Sequence, residues 1–258
     1  MCDNLFTDFP EPILKMENLQ TLDLSNNKLT ALPDFSGNLI NLKELNLENN
    51  RLTVLLESFC ELQSLKKLDL SLNKLKTLPK SFDHLIKLKK LYLEANELIN
   101  LPEILCNQLN LKELDLEANH LLTLPDSIGK LINLKKLNLR ENQLVSLPES
   151  FGNLIKLENL DLRGNKLTVL PKSIGQLINL KILNLEANQL STLPDSFRNL
   201  KSIQEINLID NQLKALPKFL FNLPKLKNLF LNGNPLNDKS IVILKELKNK
   251  GVNIDTIS

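Results

Sequence analysis

Few residues in this 258-residue chain are of a kind that does chemistry: His84 and His120, the cysteines Cys2, Cys60 and Cys106, and a column of aspartates, Asp23, Asp69, Asp115 and Asp161. Catalysis and metal binding need such groups converged at bonding distance. The spacing keeps them apart. The two histidines fall at unrelated places of a recurring sequence period, and no Cys and His share a face at ligand spacing, which argues against zinc. Neither GxxxxGK[ST] nor GxGxxG occurs, so no phosphate cradle is expected. The aspartates stand whole periods apart and read as a solvated surface column. No catalytic residue, metal or cofactor is expected.

Bulk charge narrows the function classes further. With 32 basic and 30 acidic residues the net charge is +2, too little to draw nucleic acid or anionic lipid. One Tyr and no Trp leave almost nothing for bases to stack on. No apolar run reaches the ~18 residues of a membrane-spanning helix, and MCDNLFTDFPEP lacks the basic start and apolar stretch of a signal peptide. Cys60 and Cys106 share one repeat position two repeats apart, so strands stacked at about 4.8 Å would hold them roughly 10 Å apart, beyond disulfide reach. Buried thiols suit a reducing compartment. A cytoplasmic location is expected, with no nucleic acid or membrane partner.

What positions every residue is a repeat. LENLDLRGNKLTVLPKSIGQLIN, Leu157 to Asn179, recurs on both sides of itself, with starts at Leu19, Leu42, Leu65, Leu88, Leu111, Leu134, Leu157, Leu180, Ile203 and Leu226. Counted from its first Leu, the unit carries Leu at positions 1, 4, 6, 11, 14 and 21, Asn at 9 and Pro at 15. The LxLxL stretch reads as a short strand with inward leucines, stable only beside the same strand of its neighbours in a parallel sheet. After the Pro, a turn or single helical turn is expected, with the Pro at its first position and an acidic residue near its start. Asn27 and its nine equivalents should satisfy backbone groups where the chain leaves the strand. Residues 1–18 fit the unit from position 6 onward as a partial repeat, 19–236 hold ten repeats, and 237–258 form a helical cap. The cap helix should run from Asn237 or Asp238 to about Lys250, with Ile241, Leu244 and Leu247 on one face and Gly251 as its stop.

The pattern LxxLxLxxNxLxxLPxxIxxLxx resembles the leucine-rich repeat family, in the 23-residue form similar to intracellular Ras-pathway-associated and many bacterial members. The resemblance covers Leu19 to Leu236. It implies an α/β solenoid, a horseshoe with a short-stranded parallel concave sheet and convex turns or short helices, and a non-catalytic role in binding proteins.

Repeat geometry places the binding surface at positions 2, 3, 5, 7 and 8, whose side chains surround the inward leucines and pave the concave sheet. Lys43, Lys66, Lys89, Lys112, Lys135, Lys181 and Lys227 form a ridge at position 2, and Glu48, Glu94, Glu117 and Glu186 a column at position 7. Residues that interrupt the columns are the anchors expected of an interface. They are Leu72, Tyr92, Arg140 and Arg163, with Ile182, Ile209 and Phe230 as a second apolar group. The expected function is a scaffold for a protein partner in intracellular signalling, acting as a monomer. The alternative is a bacterial effector or surface recognition protein exported by a signal outside this chain. Three irregularities are expected: Phe35 one place early, Leu56 in place of Pro, and Gln108 in an inward Leu position, where a one-residue slip would turn Leu109 inward. The isoleucines at position 22 (Ile40, Ile86, Ile132, Ile155, Ile178) are expected to be buried against the next turn.

Overall fold

The computed structural model describes residues 1–255; the last three residues of the expected 237–258 cap lie outside the described residues. The chain divides into two compact units, Met1–Leu121 and Leu122–Ser258. In the first, strands β1 (Thr21–Asp23), β2 (Glu44–Asn46), β3 (Lys67–Asp69), β4 (Lys90–Tyr92) and β5 (Glu113–Asp115) pair in chain order, all parallel. In the second, β6 (Lys136–Asn138), β7 (Asn159–Asp161), β8 (Ile182–Asn184), β9 (Glu205–Asn207), β10 (Asn228–Phe230) and β11 (Asn253–Asp255) do the same. Each inward Leu sits opposite its counterpart one repeat on, as Leu22 does with Leu45. The solenoid of short parallel strands expected from the repeat is thus present.

A three-residue strand buries too little to stand alone. What closes each rung is the Asn column. In the first unit Asn119 Nδ2 donates to the carbonyls of Leu93, Leu116 and Glu117 at 2.9–3.2 Å, and its Oδ1 accepts from Leu98 N–H at 3.1 Å. Two of these partners belong to the preceding repeat. Asn165 and Asn188 repeat the arrangement in the second unit. All are buried, so each amide satisfies polar groups that water does not reach.

Behind the strands the chain forms five-residue 3₁₀ turns, such as Glu103–Asn107 in the first unit and Lys172–Gln176 in the second. The prolines stand just before these turns rather than at their first position. Pro125 is extended, and its carbonyl accepts the first turn bond from Ile128 N–H at 3.0 Å. Two acidic residues at the start of a turn reach across to the next repeat: Glu149, after Pro148, accepts from the amides of Lys172 and Ser173, and Glu57, after Leu56, from those of Lys80 and Ser81. Gly175 allows close stacking here, since a Cβ on it would lie 2.3 Å from the Ser196 carbonyl.

Several expectations need correction. Gln108 keeps the inward position without any slip: it is 2% exposed and donates to the Phe82 carbonyl, while Leu109 faces out at 54%. A buried carbonyl one repeat back had room for an amide, which is why the Leu was dispensable. The position-22 residues are exposed, not buried; Ile86 N–H and Ile132 N–H bond back two residues, which closes the turn beneath them and sets the side chains outward. Leu56 leaves the Glu57–Glu61 turn intact, and Phe35 is buried without a 3₁₀ turn around it.

At the C-terminal end α1 (Asp238–Asn249) starts on the Asn237 cap, and Gly251 beyond it has φ 82°. Its buried stripe is Ser240, Ile243 and Leu247, whereas Ile241 is exposed and Leu244 only half-buried. Ser240 sets the rotation: its Oγ accepts from Leu216 N–H and pulls that side of the helix inward. Cys60 and Cys106 are buried, and among the described residues no disulfide forms. Burial pushes the Cys60 thiol up to about 11, so it is no nucleophile at neutral pH.

Asn119→Ala takes the side-chain acceptor from Leu98 N–H and one donor from each of three carbonyls, and should destabilise the protein by about 1–3 kcal/mol. Lys112→Ala, on the exposed face, should change stability by less than about 0.5 kcal/mol. Urea melts of the two variants with equal midpoints would place inside and outside wrongly.

Candidate functional site

The face of the sheet that carries positions 3, 5, 7 and 8 is constrained by backbone chemistry before any partner is considered. At position 5 the side chain caps the end of its own strand. Asp69 Oδ1 accepts from Ser71 N–H at 3.1 Å and Asp115 Oδ1 from Glu117 N–H at 2.9 Å in the first unit. Asp161 and Asn184 do the same for Arg163 and Glu186 in the second, at 2.9 and 3.1 Å. The aspartate column is therefore structural, a series of Asx turns, and not the merely solvated row expected. Alternation of Asp with Asn was the signal, since both supply the same acceptor oxygen.

Position 8 is constrained in a different way. Every residue there has positive φ: Asn26, Asn49, Leu72, Ala95 and Ala118 in the first unit, and Glu141, Gly164, Ala187, Asp210 and Gly233 in the second. The left-handed conformation turns the chain out of the strand. Gly and Asn tolerate it, whereas a bulky side chain is strained by roughly 1–2 kcal/mol.

The first unit carries Leu72, Tyr92, Glu94 and Glu117. Leu72 holds φ at 55° and leaves 43% of its surface exposed, so it meets the local strain without the compensation of full burial. Tyr92 takes the place of an Asp or Asn cap. Its ring is half-buried under the Lys67 ammonium, 5.6 Å from the centroid, and its hydroxyl donates to Glu113 at 3.1 Å. Burial and the Glu113 carboxylate push the phenol up to about 12. Glu94 is raised above the usual carboxylate range by its own burial and then by Asp115, Glu117, Glu48 and Asp69 around it.

Arg140, Arg163, Ile182, Ile209 and Phe230 lie on the second unit. Arg163 pairs with Glu186 at 3.3 Å, and Arg140 Nε lies 3.7 Å from Glu141. Ile182 is 40% exposed, with Ile209 and Phe230 half-buried. Phe230, like Tyr92, gives up the capping oxygen. Glu158 interrupts the lysine ridge and pairs with both Lys135 and Lys181, which hold its carboxyl low. One carboxylate against two ammonium groups leaves that part of the ridge less basic than the rest.

Two outcomes test this description. Asp161→Ala should cost about 1 kcal/mol while Asp161→Asn is close to neutral, because only the first removes the acceptor; a loss of equal size in both would mean charge, not capping, matters there. Glu94 is raised in the folded state, so its proton stabilises the fold below the unfolded carboxylate value of 4.5 and that contribution fades as pH rises through the folded value. Glu94→Gln should therefore raise the urea midpoint at pH 7 and have little effect near pH 3.

Family models for a leucine-rich repeat region, a leucine-rich repeat and a pair of leucine-rich repeats match residues 119–249, 40–98 and 17–59. None of the curated proteins matches the chain. Among solved structures, a leucine-rich repeat protein of Leptospira interrogans is 37% identical, with 98% of this chain and 76% of that one covered at a TM-score of 0.69. An internalin from Listeria monocytogenes shares the fold at 21% identity, 96% and 76% coverage and a TM-score of 0.75. A plant peptide hormone receptor in complex with RGF2 is 26% identical at a TM-score of 0.70; the alignment spans 97% of this chain but 47% of the receptor. Repeat pattern, strand register and family models agree, and the chain belongs to the leucine-rich repeat family.

Proposed function

We propose that this protein is a non-catalytic interaction module that binds a protein partner through the concave, side-chain-paved face of its sheet. Leucine-rich repeat arrays are protein-interaction folds, and their stacked strands offer extended concave surfaces for it. The observation that carries the reading is Leu72: an exposed, bulky apolar residue in a left-handed position that Asn, Asp, Glu, Gly or Ala fills in the other repeats. Tyr92 and Phe230 support it, because each replaces a capping Asp or Asn with an aromatic side chain on the same kind of surface. Residues that weaken the scaffold and face solvent are best accounted for by a partner.

In the first unit Leu72 and Tyr92 serve as apolar anchors beside the carboxylates of Glu94 and Glu117. In the second, Arg140 and Arg163 offer charge and Ile182, Ile209 and Phe230 apolar contact. A role in intracellular signalling follows the resemblance to Ras-pathway-associated members, buried free thiols at Cys60 and Cys106 suit the cytoplasm, and the protein would act as a monomer. Among the described residues no helix is long and apolar enough to cross a membrane. The Leptospira relative favours, as the second reading, a bacterial recognition protein; a secretion element in the same reading frame would select it over the first.

Affinity capture from cytosol with mass spectrometry, followed by titration of the captured protein, tests the assignment. Tyr92→Ala or Arg163→Ala should weaken binding by about 2 kcal/mol or more, mainly through faster dissociation. Lys172→Ala, on a convex turn, should leave it unchanged. The opposite pattern would move the site to the convex side.

A further inference from the structure

Three isoleucines of the second unit stand outside the requirements of the fold. Ile132, Ile155 and Ile178, at position 22 of successive repeats, are 48%, 48% and 52% exposed. Each closes its turn through the main chain alone, with its N–H on the carbonyl two residues back at 2.8 Å. Lys201, at the same position of the next repeat, makes the identical bond at 2.8 Å, and Gln63 makes it in the first unit at 2.7 Å. A polar side chain therefore serves the scaffold equally well here. Three exposed isoleucines one rung apart leave an apolar stripe on the side by which the chain returns from the turns to the strands, a feature that marks interaction surfaces.

Charge lies along one margin of the stripe. Asn133, Lys156 and Asn179 follow the isoleucines directly, and Lys135, Glu158 and Lys181 stand two residues further on. A shallow cavity of about 230 Å³ opens among Lys135, Lys156, Glu158, Asn179 and Lys181. Its lining holds three ammonium groups against one carboxylate: Glu158 pairs with Lys135 at 3.2 Å and with Lys181, while Lys156 donates to Asn133 Oδ1 at 2.7 Å. One acid leaves the margin net basic, and the exposed Lys201 closes the stripe with a further cation.

We propose that this stripe docks an acidic amphipathic helix of a partner protein. Spacing selects the helix. Rungs repeat at about 4.8 Å, close to the roughly 5.4 Å pitch of an α-helix, so apolar residues at i, i+4 and i+7 meet Ile132, Ile155 and Ile178 one by one. Side chains on one face of a strand recur at roughly 6.6 Å and fall out of step by the third rung. The main chain offers a strand nothing either: the isoleucine N–H groups are engaged within their turns, and the Ile155 carbonyl accepts from Asn179 Nδ2 at 2.7 Å. The lysine margin specifies Asp or Glu along the flank of the helix. An anionic membrane fits less well, because Glu158 would face its headgroups, and the chain has no Trp and only Tyr92, outside the stripe, of the residues that anchor at such an interface. A second copy of this chain would bring the same basic margin and, from its own, a single acid that is already paired. The stripe shares no residue with the face proposed above for the partner.

The test titrates the full chain into fluorescein-labelled AEELEEALEQLEEAL, which sets leucine at i, i+4, i+7 and i+11 among glutamates, with AEELEEALPQLEEAL and AKKLKKALKQLKKAL as controls. Anisotropy should report saturable binding of the first peptide below about 1 mM, and binding at least about tenfold weaker for the proline and lysine peptides. Ile155→Ser should weaken the glutamate peptide about tenfold or more and Lys156→Glu severalfold, while both variants keep the unsubstituted urea midpoint. Val145→Ser, at another exposed apolar residue of the same unit, should leave binding unchanged. So should Tyr92→Ala, which makes the result independent of the concave-face reading. No binding up to about 1 mM, equal binding of the proline or lysine peptide, or undiminished binding to Ile155→Ser would each overturn the proposal. Sedimentation with vesicles of phosphatidylserine and phosphatidylcholine that Ile155→Ser abolishes would assign the stripe to a membrane, and a concentration-dependent dimer lost in the same variant would assign it to self-association; either result overturns the proposal as well.

Discussion

Everything in this structure depends on satisfying backbone polar groups where a three-residue strand stops. A long helix or a wide sheet hides its N–H and C=O groups by its own regularity, but here the chain leaves the sheet after every rung and must find partners within a few residues. The buried Asn at position 9 supplies them, with its amide nitrogen on carbonyls of two successive repeats and its oxygen on an amide of the preceding one. That bond geometry, more than the leucines, fixes how one repeat sits on the next. Leucines provide the burial; asparagines provide the register.

A second set of side chains continues the same task. Asx caps at position 5 hold the strand end, left-handed residues at position 8 turn the chain away, and Glu57 and Glu149 each tie their own turn to the one after it. Surface positions on the sheet face are therefore not free. A residue that departs from these requirements gives up roughly 1 kcal/mol of local stability. Leu72 does so while exposed, and Tyr92 and Phe230 do so half-buried on the same kind of surface, and this is the physical ground for proposing them as partner contacts.

Much of this was legible in the sequence because the period is strict. Repeat starts, strand positions, the Asn column and the cap helix all follow from which residue types recur at which place. What was not legible depends on contacts between repeats. Gln108 reads as a disruption of the Leu pattern, but a carbonyl of the preceding repeat receives it. The isoleucines at position 22 read as core by residue type, yet the turn beneath them sets them outward. Ser240 rotates α1 away from the face its apolar spacing indicates. The aspartate column reads as solvated because a two-residue hydrogen bond to the main chain leaves no mark on hydrophobic periodicity. For the candidate site, the unusual residues were visible as substitutions in otherwise uniform columns; the reason they are costly was visible only in the backbone angles and caps.

The central claim is that Leu72 serves binding and not folding. Urea denaturation of Leu72→Asn measures this directly, since Asn fills the same left-handed position at Asn26 and Asn49. The account predicts an unfolding midpoint equal to or above that of the unsubstituted chain, because relief of backbone strain offsets the modest apolar burial lost. A fall in stability of more than about 1 kcal/mol would show Leu72 to be a packing residue and would contradict the account.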